Sequence, residues 1–446
     1  MTSTRAVLAG SFVAILAATG YSPPPEVADP NDNRASAGRL VNGELTLDLE
    51  ARAATWKPEG DKGGSLEIAT FAEVGKKAQV PGPLLRVRTG TRVRVSVRNT
   101  FDKPLVVFGF GQQGMKDSII VAPRAQGTTS FVAAQPGTFF YTGRTELDPL
   151  FGGRTAAEQS LNGAIVVDSA NAPANPKDRV LVMSWYSTVN PKSPNGLGQT
   201  TMTINGLSWP HTERLDYAQG DSVHWRVLNL SDIDHPMHLH GFYFRLESRG
   251  NGVTDSILPR DQQLMAVTEI LRPFRTMSLS WQAERAGNWI FHCHFALHLS
   301  DLSSIDMVDG VMKHDMSGGS HTSDAPHHMI GLVMGMRVAA RGPTVQQADA
   351  PRPIRVVVRE KKKMYGDLPG FAFVVSGSRE ERDPEAMPIP GAPLILERGR
   401  PVAITVVNRT SDHRYPLARY RARELSGWRP RMERSGNVSA SGNQAR

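Results

Sequence analysis

The 446-residue chain has a single cysteine, Cys293, and few long apolar runs. One cysteine excludes an internal disulfide, and the free thiol of an exported protein would oxidise unless something protects it. Metal ligation is one such protection. Beyond the N-terminal segment, no stretch is long and apolar enough to predict a membrane-spanning helix, so we expect no membrane insertion.

The chain also lacks a general excess of positive charge, although its formal charge is +8. Residues 414–446 hold eight arginines against Glu424 and Glu433, a net charge of +6. The other 413 residues therefore carry only +2, which predicts no basic face and no nucleic-acid partner.

The N-terminal segment has the pattern of a secretory signal peptide. Arg5 precedes an apolar run over residues 6–18, which ends in the small residues Ala18, Thr19 and Gly20. This order of charged, apolar and small residues predicts a signal peptide at 1–20 and an exported protein, periplasmic or extracellular.

One strand pattern occurs three times in the chain. It appears at residues 90–99 (GTRVRVSVRN), 220–229 (GDSVHWRVLN) and 399–408 (GRPVAITVVN). Alternation of apolar and polar residues predicts a half-buried strand. The 41 glycines and 31 prolines fit many strands and turns, so we predict an all-β fold of tandem Greek-key β-sandwiches.

The copies divide the chain into two complete sandwiches and an incomplete third. The predicted boundaries are a first domain at 39–168, a second at 178–309, a Met- and His-rich connector at 310–330, a third domain at 331–411 and a tail at 412–446.

Two motifs in the second domain carry the metal chemistry. One is HPMHLHG at residues 235–241, and the other is FHCHFALH at residues 291–298. His235, Cys293 and His298 supply two imidazoles and a thiolate, the trigonal set of a blue-copper electron-transfer site.

The same motifs supply four more imidazoles. Residues two apart in a strand share a face, so His238 and His240 point one way, and His292 and His294 share a face while Cys293 points to the other. Cys293 is adjacent in the chain to His292 and His294. These three residues therefore predict a covalent electron path from a copper site on one face of the strand to a copper site on the other.

These motifs resemble the third and fourth copper motifs of multicopper oxidases, the laccase-like family. The resemblance implies cupredoxin domains and copper as cofactor, with an electron donor oxidised at type 1 copper and oxygen reduced at a type 2/type 3 cluster. It implies that His238 is the type 2 ligand and that His240, His292 and His294 are type 3 ligands. Residues 203–213 (TINGLSWPHTE) are also similar to the family.

The chain departs from the family at two places. The family's first two motifs are His-x-His pairs, whereas the first domain has FGFG at 108–111 and GTFFYTGR at 137–144. We therefore expect no copper ligands from this domain. The axial type 1 position, often Met or Leu in the family, falls on Ser303, with Leu302 and Met307 nearby.

The connector has two interpretations. Its thioether and imidazole groups could recruit copper, or it could be a flexible linker. The residues concerned are Met312, His314, Met316, His321, His327, His328 and Met329.

The tail predicts a one-base frameshift near residues 412–415. If the reading frame is moved one base later, nucleotides that can encode residues 416–424 (PLARYRARE) can also encode His-Trp-His-Gly-Ile-Glu-Leu-Glu-Ser. That sequence resembles the family's first copper motif, at the place after the third strand repeat where the family has it. The nucleotide sequence from residue 398 to the stop codon tests this directly: a frame that cannot encode His-Trp-His-Gly would contradict the frameshift.

We interpret the chain as a copper-dependent oxidoreductase of the multicopper oxidase type whose trinuclear site is incomplete. Its donor is a small molecule or a metal ion, and oxygen is the acceptor. The alternative is a copper-binding or electron-transfer protein without oxidase turnover. Copper nitrite reductases are less similar, because they lack the second histidine of the His-Cys-His triplet, which is His294 here.

Overall fold

The structure is a computed structural model. It describes residues 25–145, 154–171, 177–192, 197–295, 298, 307–308, 311–312, 330–341, 351–378, 382–383, 385–397, 402–410 and 437–442. The predicted signal peptide and most of the predicted connector and tail lie outside these residues. Strands dominate the described part of the chain, with short 3-10 turns at Ala157–Ser160 and Arg260–Gln262. The predicted all-β fold class is confirmed.

The first β-sandwich contains ten strands in two main sheets, and β1 and β5 form a separate parallel pair. One sheet has the order β10-β7-β3-β2 with β4 beside β3, and the other has the order β6-β12-β11-β8-β9. Side chains from both sheets, such as Leu47 and Tyr141, form one buried core. The parallel pairs β3–β7 and β6–β12 require crossover connections, as in a Greek key. The strands are β1 Asp29–Pro30, β2 Arg39–Val41, β3 Glu44–Trp56, β4 Leu66–Glu73, β5 Gln79–Val80, β6 Gly82–Arg88, β7 Arg92–Asn99, β8 Leu105–Phe108, β9 Ser118–Val121, β10 Gln126–Val132, β11 Gly137–Arg144 and β12 Asn162–Asp168.

The second β-sandwich repeats this plan. Its sheets have the orders β14-β13-β16-β22-β18-β19, with β20 beside β18, and β15-β26-β23-β17-β21. Trp225 and Leu279 of the first sheet pack with Met237 and Phe291 of the second. The strands, with the separate hairpin β24–β25, are β13 Asp178–Val189, β14 Leu197–Ile204, β15 Arg214–Ala218, β16 Ser222–Asn229, β17 His235–Leu239, β18 Phe244–Gly250, β19 Asp255–Ile257, β20 Met265–Ala266, β21 Thr268–Leu271, β22 Arg275–Gln282, β23 Gly287–Cys293, β24 Met307–Val308, β25 Val311–Met312 and β26 Val333–Ala339.

The position of β26 differs from the predicted start of the third domain at residue 331. This strand pairs in parallel with β15 and antiparallel with β23, so it completes a sheet of the second sandwich. The physical reason is its burial: Met334, Met336 and Val338 enter the core of that sandwich. The chain therefore returns to the second sandwich after the predicted connector.

The third unit is a single described sheet with the order β28-β27-β29-β30. Its last strand lies within the tail at 412–446, which was predicted to be out of frame. The structure pairs it with the edge of β29, which satisfies that strand's backbone groups. The frameshift itself stays a prediction. The strands are β27 Arg352–Tyr365, β28 Leu368–Val375, β29 Val402–Asn408 and β30 Asn437–Gly442.

The three sequence repeats are strands β7, β16 and β29, and they occupy equivalent places. Each pairs in parallel with an earlier strand of its unit and antiparallel with a later one. Val93, Val95 and Val97 of β7 are completely buried, as their alternation predicted. Most of β29 is only half-buried, which fits a unit whose described part is one sheet.

The asparagine that ends each repeat fixes the turn that follows it. Asn99 donates from Nδ2 to the carbonyl of Val121, and Asn229 donates to the carbonyls of Ile233 and Leu271. The side-chain oxygens of these residues and of Asn408 accept a backbone N–H two residues later. Asparagine suits this position because one short side chain offers both donors and an acceptor.

A network of charges joins the two sandwiches. Arg86 of β6 donates to Asp178 of β13 at 2.7 Å, and Arg226 of β16 contacts the same carboxylate at 3.1 Å. His224 bridges Asp178 at 2.6 Å and Glu247 at 3.3 Å. Burial lowers the pKa of His224, but its hydrogen bonds to the two carboxylates outweigh that effect and raise the pKa above the ordinary value of 6.5.

This network predicts a pH-dependent stability. Because the folded pKa of His224 is raised, its contribution is fully present below about pH 6.5 and is lost as the pH rises through the folded pKa. We expect the contribution of His224 to the free energy of unfolding to shrink between pH 6 and pH 9. His224→Gln should therefore lower the free energy of unfolding by about 1.5–3 kcal/mol at pH 6 and by less at pH 9, which changes the slope of its pH dependence. Denaturant titration measures both, and an unchanged slope in the variant would contradict the assignment.

Candidate metal centre

The pairing of β17 with β23 places the two histidine motifs side by side. Met237 is opposite Cys293, and His238 is opposite His292. Because side chains alternate across a pleated sheet, Met237 and Cys293 enter the core while His238 and His292 lie on the other face. The two predicted groups of candidate ligands therefore occupy opposite faces of one sheet.

The inner group consists of His235, Cys293 and His298. Cys293 Sγ lies 3.2 Å from His298 Nδ1 and 3.8 Å from His235 Nδ1, and the two Nδ1 atoms are 3.2 Å apart. His235 and Cys293 are completely buried and His298 is 8% exposed. Two imidazole nitrogens and one sulfur thus converge on one point, as the predicted trigonal set requires.

Backbone contacts from the two residues just before β26 hold this group together. The N–H of Cys293 donates to the carbonyl of Leu332, and the N–H of Leu332 donates to the carbonyl of His298. Gly331 has a φ of +86°, and a Cβ there would lie 2.4 Å from the carbonyl oxygen of His298. Only glycine allows the backbone to come this close to the carbonyl of His298. The return of the chain at residue 331 therefore helps to place His298.

Burial sets the protonation of the inner group. It lowers the pKa of His235 to about 3, with an added effect of His298, and lowers the pKa of His298 to about 4. Both imidazoles are therefore neutral at pH 7, with lone pairs for a metal. Burial also raises the pKa of the Cys293 thiol to about 11, so copper binding has to displace a proton from it.

The outer group consists of His238, His240, His292 and His294. The Nε2 atoms of His240 and His292 are 2.8 Å apart, and the ring centroids of His238 and His294 are 4.8 Å apart. His292 Nδ1 donates to the carbonyl of Cys293 at 2.7 Å, which leaves its Nε2 for a metal. Burial lowers the pKa of His240 and of His292 to about 4, so both are neutral at pH 7.

The first sandwich presents no such group. Phe108 and Thr142 are opposite each other in register, and the guanidinium of Arg144 lies 5.1 Å from the centre of the Phe108 ring. The sequence has no histidine before His211, so this sandwich has no imidazole to contribute. Among the described residues, the clusters of metal-binding side chains are the inner group and three members of the outer group, His238, His240 and His292. His294 lies beside this second cluster, with its ring centroid 4.8 Å from that of His238.

The residues predicted at and near the axial type 1 position lie mostly outside the described residues. Leu302 and Ser303 lie outside the described residues, and only the backbone of Met307 is described, in β24. The connector residues named above also lie outside the described residues, except for the backbone of Met312 in β25.

Sequence reasoning missed the residues that hold the candidate ligands. Ser231 Oγ lies 2.8 Å from His235 Nε2, and Thr268 Oγ1 lies 2.7 Å from His238 Nδ1. A signal for the first was present, because Ser231 follows the repeat's Asn229 by two residues. Nothing in the sequence relates Thr268 to His238, since the pairing of β21 with β17 creates that contact.

Comparisons with known proteins agree with this chemistry. Two family models described as multicopper oxidase match residues 71–172 and 176–311, more than half of the chain together. A probable nitrite reductase-hydroxylamine oxidoreductase fusion protein of Kuenenia stuttgartiensis is 25% identical over 288 residues, 60% of this chain and 32% of that protein. Putative laccase-16 of Oryza sativa subsp. japonica is 35% identical over 120 residues, 25% of this chain and 24% of that protein.

The matched segments thus span about a third or less of these relatives. Among solved structures, the blue copper oxidase from Nitrosomonas europaea aligns with a TM-score of 0.49 at 20% identity, covering 66% of this chain and 86% of that one.

Proposed function

Because the chain belongs to the multicopper oxidase family, whose cofactor is copper, we propose that it oxidises an electron donor at a type 1 copper centre held by His235, Cys293 and His298. The observation that carries this proposal is the convergence of the three donor atoms within 4.8 Å of one another in a buried place. Copper bound there would accept one electron from the donor and pass it on.

Each residue has a distinct part in this proposal. His235 and His298 present neutral Nδ1 atoms, and their burial keeps water away from the thiolate. Cys293 supplies the thiolate and is adjacent in the chain to His292 and His294. These three residues form a short covalent path from the inner group to the outer group.

The outer group defines the second half of the proposal. His238 would serve as a type 2 ligand, and His240, His292 and His294 as type 3 ligands, with oxygen as the electron acceptor. Four imidazoles are too few for three fully coordinated coppers, and none of the other described residues joins their cluster. This small number of ligands favours a second function for the 446-residue chain: copper binding and electron transfer without oxidase turnover.

The donor and the location are also proposals. Electrons would enter at His298, because it is the candidate type 1 ligand nearest the surface. A small molecule or a metal ion is the kind of donor proposed for this position. Export to the periplasm or the extracellular space is supported by the signal-peptide pattern of residues 1–20. Within the described part of the chain, no helix is long and apolar enough to cross a membrane.

Copper reconstitution tests the type 1 assignment. The full chain loaded with Cu(II) should develop an intense visible thiolate-to-copper band, because a buried thiolate and two imidazoles form the trigonal set. Cys293→Ser should abolish the band completely. His211→Ala is the matched control, since this histidine lies outside both groups, and it should leave the band unchanged. A blue colour that survives Cys293→Ser would contradict the assignment.

Oxygen uptake tests the second half. We expect the 446-residue chain, saturated with copper and supplied with a phenolic donor, to consume oxygen at a rate near background, because its cluster is short of imidazoles. A chain restored to the frame that encodes His-Trp-His-Gly should gain turnover. Robust oxygen consumption by the unrestored chain would show that the ligand count is wrong.

A further inference from the structure

The second ring nitrogen of His235 makes a specific buried contact. Its Nδ1 faces Cys293 and His298, whereas its Nε2 lies 2.8 Å from Ser231 Oγ. Ser231 is 1% exposed, and His235 is completely buried. Water therefore cannot replace this contact, and the direction of the hydrogen bond decides which ring nitrogen carries the proton.

Asn229 offers an acceptor for the Ser231 proton, and the carbonyl of Ile233 is a second one at 3.3 Å. Asn229 Nδ2 donates to the carbonyls of Ile233 and Leu271, so Asn229 Oδ1 must face the turn. This oxygen accepts the backbone N–H of Ser231 at 3.0 Å and the Ser231 hydroxyl at 2.7 Å. A hydroxyl has one proton, and once that proton is given to Asn229 the oxygen can only accept from His235 Nε2.

We propose that Asn229 and Ser231 form a relay that holds His235 as the Nε2–H tautomer, with its Nδ1 lone pair directed at the type 1 site. Ser231 is then a positioning residue for the copper ligand. This inference rests on the proposed function for its consequence, but the tautomer is a property of the protein without copper. The hydrogen bond also makes the imidazole a stronger donor, which favours Cu(II) over Cu(I).

The other repeats provide an internal comparison. In the first sandwich, which has no histidine, the residue two places after the repeat's asparagine is Phe101, so no hydroxyl is present. In the third unit the same place holds Thr410, whose Oγ1 donates to Asn408 Oδ1 at 2.8 Å. The hydrogen bond from a hydroxyl to the asparagine thus also occurs in a unit whose described residues include no candidate ligand. What distinguishes the second sandwich is the additional contact of Ser231 Oγ with His235 Nε2.

The first sandwich anchors the relay through Arg154. This guanidinium is 4% exposed, donates to the carbonyl of Leu230 at 3.0 Å and lies 3.7 Å from the carboxylate of Asp232. Arg154 therefore contacts both residues that flank Ser231. Neither carboxylate oxygen of Asp232 has a hydrogen bond within the described part of the chain, so Arg154 is the group there that compensates its charge.

This anchor gives the first sandwich a part in the copper chemistry although it supplies no candidate ligand. Leu230 also packs in the core between the sandwiches, beside Phe140 and Val166 of the first. A shift of one sandwich against the other would therefore move the turn that carries Ser231.

Two measurements test the relay in the full chain. Long-range nitrogen NMR on histidine-labelled apoprotein reads the tautomer of His235, and redox titration of the copper-loaded protein reads the type 1 potential. Ser231→Ala should give a mixed tautomer and a Cu(II) affinity about tenfold to a hundredfold lower. A tenfold loss for Cu(II) alone corresponds to a potential about 59 mV higher. Ser231→Thr should restore both, since it keeps the hydroxyl.

The controls separate the relay from general destabilisation. Ser184→Ala removes another buried hydroxyl, from β13, and should leave the tautomer and the potential at wild-type values. Asp232→Asn removes the negative charge that Arg154 compensates but keeps a side chain of nearly the same size. Arg154→Met removes the guanidinium that contacts Leu230 and Asp232. Both should shift the potential in the direction of Ser231→Ala, by a smaller amount.

The outcomes are distinguishable. If the wild-type apoprotein holds His235 as the Nε2–H tautomer but gives no blue band, the relay stands and the proposed function fails. If wild type is blue and Ser231→Ala matches it in tautomer, affinity and potential, the relay is overturned while the proposed function stands. If only the Arg154 and Asp232 variants match wild type, the anchor from the first sandwich is overturned.

Discussion

The alternation of side chains along β17 and β23 is the constraint on which the rest of the site depends. The register that sets Met237 against Cys293 also sets His238 against His292, so one pair of strands presents a thiol to the core and imidazoles to the outer face. A shift of the register by one residue would exchange the two faces, expose the cysteine and bury the outer imidazoles. The core side chains of the second sandwich hold that register, because Met237, Leu239 and Phe291 are buried in it.

Burial then gives the two faces different chemistry. On the inner face, exclusion of water keeps His235 and His298 neutral, with lone pairs for a metal ion. It also makes the Cys293 thiol a weaker acid, so a metal ion has to displace its proton. On the outer face His294 is exposed, and the imidazoles remain open to whatever packs against that face. The three donors of the inner group come from one sandwich, and so do the imidazoles of the outer group.

The first sandwich has the family's architecture without its ligands. It retains the repeated strand β7 and the closing Asn99, yet the sequence has no histidine before His211. Its contribution lies in contacts with the second sandwich: Arg86 with Asp178, and Arg154 with the turn before His235. Both arginines contact buried polar groups, so the interface depends on specific hydrogen bonds as well as on apolar packing. A sandwich without histidines thus still contacts the turn that precedes His235 in its neighbour.

The sequence by itself determined the all-β class, the three repeated strands and the sorting of His238, His240 and His292 away from Cys293. These features are local, because strand periodicity and residue spacing follow from the backbone geometry of a single segment. Only the tertiary structure decided that β26 returns to the second sandwich, that Thr268 contacts His238 and that Arg154 reaches the turn around Ser231. These contacts join segments 30 to more than 70 residues apart, as between Thr268 and His238 or Arg154 and Leu230. They depend on which strands pair and how the sandwiches pack, and the period of a single strand carries no information on either.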